Sequence, residues 1–477
     1  MPWGASIFLE ANFPNPTSWF YSALVLVVAL FFRFDRLFSL RHLDLLLLFL
    51  WMPGLLLLLE QRLIASEGIN RWPYAWLLGG TLLVIIRALV DLVFSQRPSL
   101  KPNLNAAGLC FFSITLFGAL ILISVREPNK ADDGGPDPSE RVRPPTTQVR
   151  EQTEAILQNR FMGPHDTPTA RLVVERGLAL GCHLATAFGL FMIGWRHFHH
   201  GTSGVAAACM YLLLPYTFML TPFNILNLGR WDSAFPMALW VWAIFWMGKP
   251  LASGLLMGLA TGTMISPFMV LPTWCGFYWR KGMDRFLLAF LLAILPCFFW
   301  APTTWIWSDW FPWLEPDLGT DSFWHGIHWA YRMPIFVVFL SLSIASFFWP
   351  ENKNLGQLIS LNLALLAGVE LWQADRGGTH LFSFLAPAIL MVFRPTLDGG
   401  GPPNLREIWL DQLWAWSGRA AVQFFRGFYS LWRVWAGPSL APSEPSRESD
   451  SKITEVESSP NHQDRQGIRG ATETEER

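Results

Sequence analysis

Residues 204–285 read GVAAACMYLLLPYTFMLTPFNILNLGRWDSAFPMALWVWAIFWMGKPLASGLLMGLATGTMISPFMVLPTWCGFYWRKGMDR, and the reading of this stretch decides the fold. An apolar run over 203–220 gives way to a polar corner carrying Arg230 and Asp232. A second run over 234–247 ends at a tight Gly-Lys-Pro turn around Lys249. The stretch 251–278 that follows is too long for one relaxed span, is broken by Gly262 and Pro267, and ends at Arg280, Lys281 and Arg285. Two short segments meeting at the break account for it best. Backbone that leaves the helix at membrane depth survives only where protein or water covers it.

Working outward, the whole chain has the composition of a membrane protein. Of its 477 residues 52% are hydrophobic and 15% charged, with 26 Trp and 38 Phe, residues that favour bilayer boundaries. A formal net charge of −1 offers no bulk basicity for nucleic acid. The cysteines, Cys110, Cys182, Cys209, Cys275 and Cys297, all lie in apolar stretches, which fits packing rather than a disulfide framework or metal site. The first residues carry no basic region, so no cleavable signal peptide is expected.

Apolar runs over 18–34, 43–59 (with a kink at Pro53-Gly54), 74–94 and 104–125 give an N-terminal four-helix block, 1–125. Residues 126–170 read as an outer loop rich in Pro, Gly and Asp, closing with a surface helix over 150–161. A core over 171–395 collects the remaining runs, interrupted by a Trp-rich loop at 301–330. Residues 396–436 contain an amphipathic cytoplasmic helix, and 437–477 form a polar, apolar-poor tail expected to be disordered. The fold class expected is therefore an all-α integral membrane protein with about 13 transmembrane segments. Basic residues concentrate at alternate corners, from Arg33, Arg36 and Arg41 to Lys353 and Arg394, which places the N-terminus outside and the C-terminus in the cytoplasm.

On that topology both large loops share the outer side with the Arg230/Asp232 corner. Asp232 suits a metal, phosphate or sugar contact, and also a helix cap. Asp132 and Asp133 follow the fourth span and are either acid–base groups or solvated loop residues. Arg230, Arg332 and Arg376, with His380, could neutralise a phosphate, and each alone also suits a headgroup anchor. Trp310, Trp313 and His325 could stack on a sugar or belong to an interfacial girdle. Glu370, near the outer end of its span, is costly unless paired or wetted, and Arg376 is the nearest partner in sequence. His325 and His328 lack a third ligand at metal-like spacing.

The central motifs carry a resemblance. YLLLPY (211–216), the Gly229-to-Asp232 corner, Gly254 and Gly258 in a GxxxGLA helix, and the Pro267 break resemble the C-type (GT-C) multi-spanning glycosyltransferases. The closest likeness is to the polyprenyl-phosphate-mannose-dependent mannosyltransferases of glycosyltransferase family 87. VVERGLALGCHLATAFGLFMIGWRHF (173–198) resembles that family's second helix, and the sequence from Arg150 to Pro168 its juxtamembrane helix and following turn. The resemblance implies a GT-C-like core that moves a sugar from a polyprenyl-phosphate donor to an acceptor at the outer face. In that reaction Asp133 or Asp132 is the base, Asp232 orients the acceptor, and Arg230, Arg332 and Arg376 hold the phosphate. Implied partners are membrane lipid and the lipid-linked sugar, with a cytoplasmic partner for 403–477, no further cofactor named, and a bacterial inner membrane as location. The chain departs from the family in two places: Met264 stands where the family has lysine, and Thr146 to Gln148 supply no acid before the juxtamembrane helix. A catalytically inactive scaffold of the same fold is the alternative. A lipid or solute transporter would need more polar residues within spans than Asn362, Thr261, Thr263 and Ser266.

Overall fold

The computed structural model describes residues 16–32, 39–64, 71–92, 100–126, 145–161, 167–218, 231–264, 266–279, 281–300, 323–324, 327–350, 353–373 and 381–395. The chain divides into two units, Met1–Gln412 and Leu413–Arg477, and every described residue belongs to the first. Among them the regular structure is helical: α1 (Pro16–Phe31), α2 (Leu40–Leu47), α3 (Met52–Ile64), α4 (Trp72–Asp91), α5 (Ala106–Arg126), α6 (Pro145–Phe161), α7 (Thr167–Arg196) and α8 (Gly201–Leu213). There follow α9 (Trp231–Phe245), α10 (Pro250–Thr263), α11 (Leu271–Phe277), α12 (Met283–Trp300), α13 (Met333–Phe348), α14 (Leu355–Gln373) and α15 (Leu381–Phe393).

Local chemistry sets several of these boundaries. Ser39 caps α2, its hydroxyl accepting from the Arg41 amide at 3.3 Å. Proline occupies the first turn of α4, α10 and α13, where its missing N–H costs nothing. The kink expected at Pro53-Gly54 is a break between α2 and α3. Two carbonyls freed there are capped from other helices, Leu48 by the Tyr216 hydroxyl and Leu50 by Trp76 Nε1, each at 2.8 Å.

The break expected inside 251–278 is also present. Helix α10 stops at Thr263, Met264 is extended, and a 3-10 turn over Ser266–Val270 leads into α11. The chain then returns, since Gly282 at the start of α12 lies against Pro250 at the start of α10. Helices α10 and α12 therefore run parallel. Gly254 faces the Phe286 carbonyl and Ala289, Gly258 faces the Phe290 carbonyl and Ala293, and Gly262 faces Cys297. Any side chain at Gly254 or Gly258 would strike backbone, so this GxxxG spacing permits the close approach of two helices.

Helix α15 occupies the centre, touching α8, α9 and α14, and all of its residues are buried. Helix α4 lies along α14, α7 along α8 and α9, and α5 along α8. Outward-facing Phe111, Ile114, Leu288, Leu292, Val338 and Ile344 give the exterior an apolar belt.

The expectation of about 13 crossings is corrected by helix length. Among the described residues, 5 helical segments are long and apolar enough to cross a membrane: Leu40–Glu60, in which α2 and α3 together make one interrupted segment, Trp72–Asp91, Ala106–Ser124, Val173–Arg196 and Leu355–Trp372. Thr17–Phe31, Gly201–Leu213, Ser233–Phe245, Met333–Phe348 and Leu381–Phe393 are apolar but shorter. At 1.5 Å per residue, the 13 residues of α15 reach about 20 Å, against about 30 Å of hydrocarbon. An apolar run reads the same whether its neighbours are lipid or other helices, and α15 is wrapped by helices. The protein is thus largely helical and partly membrane-spanning.

Candidate functional site

Helices α3, α4, α14 and α15 line a half-open hollow of about 20 Å³. Glu370, three residues from the end of α14, supplies its carboxylate, and Tyr74 and Thr81 of α4 line it beside Trp51, Phe323 and Phe384. Leucines from α3, α4 and α15 fill the rest of the wall. Trp51 donates Nε1–H to Thr81 Oγ1 at 3.1 Å and meets Phe384 edge-on at 5.2 Å, which fixes the floor. Glu370 is 7% exposed, and its Oε1 has no hydrogen-bond partner. A buried carboxylate oxygen without a donor is costly, so it marks a place where chemistry is unfinished.

The opposite ends of the same helices carry a closed ionic network. Ser360 lies ten residues before Glu370 on α14, about 15 Å away along the axis. Its hydroxyl donates to Asp91 Oδ2 at 2.6 Å. Arg87 grips Asp44 through Nε at 2.6 Å and Nη2 at 2.9 Å, and reaches Asp91 at 3.3 Å. Arg394 pairs with Asp91, while Arg41 donates to the carbonyls of Val392 and Arg394 and so caps the end of α15. These charges are buried, from Asp44 and Asp91 at 1% exposure to Arg87 at 9%. Burial, with the Arg87 cation second, lowers the Arg394 pKa to about 10. In the sequence alone Arg41 and Arg394 read as corner charges. The signal for the network was present in Asp44, Arg87 and Asp91, which interrupt otherwise apolar runs.

Two further polar arrangements are buried in the helix packing. Asn362 Oδ1 accepts from Trp240 Nε1 at 3.1 Å and Trp274 Nε1 at 3.0 Å, while its amide donates to the Leu358 carbonyl at 2.6 Å. His183 Nδ1 and the Tyr211 hydroxyl are 2.6 Å apart, both wholly buried. At the end of α13, Lys353 Nζ donates to the carbonyls of Phe347 and Pro350, each at 3.0 Å, and burial lowers its pKa to about 8. His197 Nε2 lies 2.8 Å from the Phe245 carbonyl, and burial lowers its pKa too.

Among the residues expected to form a site, the side chain of Arg332 is described. It precedes α13, half-buried, with its guanidinium 5.6 Å from the Trp324 ring. Trp324 donates Nε1–H to the Leu371 carbonyl at 3.2 Å and packs edge-on with Phe323 at 5.3 Å, which sets Arg332 beside the wall of the hollow. Asp232 is the second residue of α9, where a helix N-terminus favours an acid. Asp132, Asp133, Arg230, Arg376, His380, Trp310, Trp313 and His325 lie outside the described residues, as do the expected cytoplasmic helix and tail beyond residue 395. The juxtamembrane helix expected over 150–161 is the C-terminal part of α6. It is tied to α7 by Arg150 Nη1 and Glu175 at 2.9 Å. Among the described residues, no group of three or more His, Cys, Asp or Glu side chains could hold a metal ion, and all five cysteines are free thiols.

No protein-family model, curated protein or solved structure matches the chain.

Proposed function

We propose that this chain is a membrane glycosyltransferase that moves a sugar from a polyprenyl-phosphate donor to an acceptor at the outer face of a bacterial inner membrane. In this reading the N-terminus lies outside and residues 403–477 face the cytoplasm, where a partner engages them. The observation that carries the proposal is the broken return at 264–282, flanked by close-packed α10 and α12. It falls where the GT-C resemblance calls for a GxxxG helix followed by a break.

In the reaction, the acceptor hydroxyl oxygen bonds to the anomeric carbon. The bond from that carbon to the donor phosphate breaks, and the phosphate leaves with the electron pair. The hydroxyl proton passes to a carboxylate, for which Asp133 or Asp132 is the choice, while Asp232 orients the acceptor. Arg230, Arg332 and Arg376 stabilise the leaving phosphate, with His380, Trp310, Trp313 and His325 around the sugar. Turnover of a polyprenyl-phosphate-linked sugar by the purified full chain tests this, with D133N, D132N and D232N alongside. Loss of turnover in none of the three removes the site assignment, and no turnover with any such donor removes the enzyme.

A second reading, a non-catalytic scaffold of the same fold, is favoured by Met264. In the resembling enzymes a lysine stands at the break, and here a thioether does. Absence of turnover together with capture of a cytoplasmic partner through 403–477 supports that reading.

A further inference from the structure

We infer that the hollow at the end of α4, α14 and α15 is a binding site for a primary alkylammonium group, held by Glu370. The inference is independent of sugar transfer and stands on the hollow itself. Among the described lining residues Glu370 is the one charged group. Its carboxylate is 7% exposed with Oε1 unpartnered, so an incoming cation supplies the missing compensation and a neutral guest does not.

The lining also selects the kind of cation. Hard metal ions demand six or more oxygen ligands, whereas this hollow offers Glu370, Thr81 and Tyr74 among aromatic and leucine walls. Rings from Trp51, Tyr74, Phe323 and Phe384 suit an organic cation, whose alkyl stem prefers apolar contact and whose charge is attracted to ring faces. An –NH3+ group brings three donors. One goes to Glu370 Oε1, and Thr81 Oγ1, which accepts from Trp51, keeps a second lone pair for another.

Hydrogen bonding discriminates within this class: a trimethylammonium carries no N–H and so donates nothing to Glu370 Oε1 or Thr81 Oγ1. Glu370 lies three residues from the end of α14, Tyr74 two residues into α4, and Leu381 opens α15. The hollow therefore runs from these helix ends inward to Thr81 of α4. The ammonium can come from an ethanolamine phospholipid or from a water-soluble amine.

The test is carbodiimide labelling of Glu370, read by mass spectrometry as the loss of its unmodified peptide, so that the N-acylurea and any amide formed with an added amine both count as labelling. The full chain is reconstituted in discs of phosphatidylcholine alone or of phosphatidylcholine with phosphatidylethanolamine. In the first discs, dicyclohexylcarbodiimide should modify Glu370. The rate should fall about fivefold when a primary amine stands at four times its Kd. Protection by phosphatidylethanolamine alone assigns the lipid, and protection by added propylamine assigns a soluble amine. Equal labelling under all conditions overturns the proposal, as does equal protection by tetramethylammonium. Failure of Glu370 to label even in phosphatidylcholine discs overturns it too, because a partner must then already hold the carboxylate.

Discussion

Removing Asp91 tests what fixes the helix ends opposite the hollow. Its Oδ1 is 3.3 Å from Arg87 Nη1, and its Oδ2 accepts from Ser360 Oγ at 2.6 Å and pairs with Arg394. Five charges share the network, three arginines and two aspartates, for a net +1. Asp91→Ala raises that to +2 and leaves Arg394, 6% exposed, without its paired acid. Breaking a buried pair from one side costs about 3–5 kcal/mol. At roughly 2 °C per kcal/mol for a large domain, the apparent Tm should fall by about 6–10 °C. The assay is thermal unfolding of the detergent-solubilised chain at fixed scan rate, read by size-exclusion recovery.

The discriminating variant is Asp91→Ala with Arg394→Met. It returns the network to +1 and replaces the stranded guanidinium with apolar volume, so it should recover at least about half of the loss. A double variant as unstable as Asp91→Ala, or a single variant within about 1 kcal/mol of wild type, refutes the argument that buried charge balance holds these ends together.

Three further outcomes follow from the packing. Gly258→Ala places a methyl group against the Phe290 carbonyl and should cost about 1–3 kcal/mol, whereas Gly181→Ala, with open space at its Cβ, should be neutral or stabilising by up to about 1 kcal/mol; thermal unfolding of the pair separates close approach from helix propensity. Asn362→Leu strands two buried indole N–H groups, from Trp240 and Trp274, and should cost about 2–5 kcal/mol, visible as lost thermal stability and altered tryptophan emission. For Lys353, the folded chain releases its proton near pH 8 while the unfolded chain keeps it to about 10.5, so the unfolded state binds more protons across that window. Wild type should therefore gain stability relative to Lys353→Met as pH rises from about 8 to about 10.5, and parallel pH profiles would contradict this.

Legibility in the sequence was uneven for reasons that individual residues make plain. The interruptions at Pro53-Gly54 and at Pro267 could be read directly, because a missing N–H or missing Cβ acts on the residue's own backbone. The Gly254/Gly258 spacing could be read as a packing motif, but its partner on α12 could not. The number of crossings was overestimated because α8 and α15 are short, apolar and buried among other helices, which composition does not distinguish from burial in lipid. Glu370 was visible as a costly carboxylate near a span end. The hollow before it was not, since its walls come from residues as distant as Trp51 and Phe384.

By itself, the sequence determined that this chain is helical, that it lives largely in an apolar medium, and where its helices must break. Each of these follows from hydropathy over a local window or from the covalent chemistry of Pro and Gly. Only the tertiary structure decided which charges neutralise one another, Asp44 with Arg87 and Asp91 with Arg394, and which carboxylate is left facing an empty space. Those pairings join positions 43 and 303 residues apart, and charge compensation at such separation is settled by how helices pack rather than by any stretch of chain.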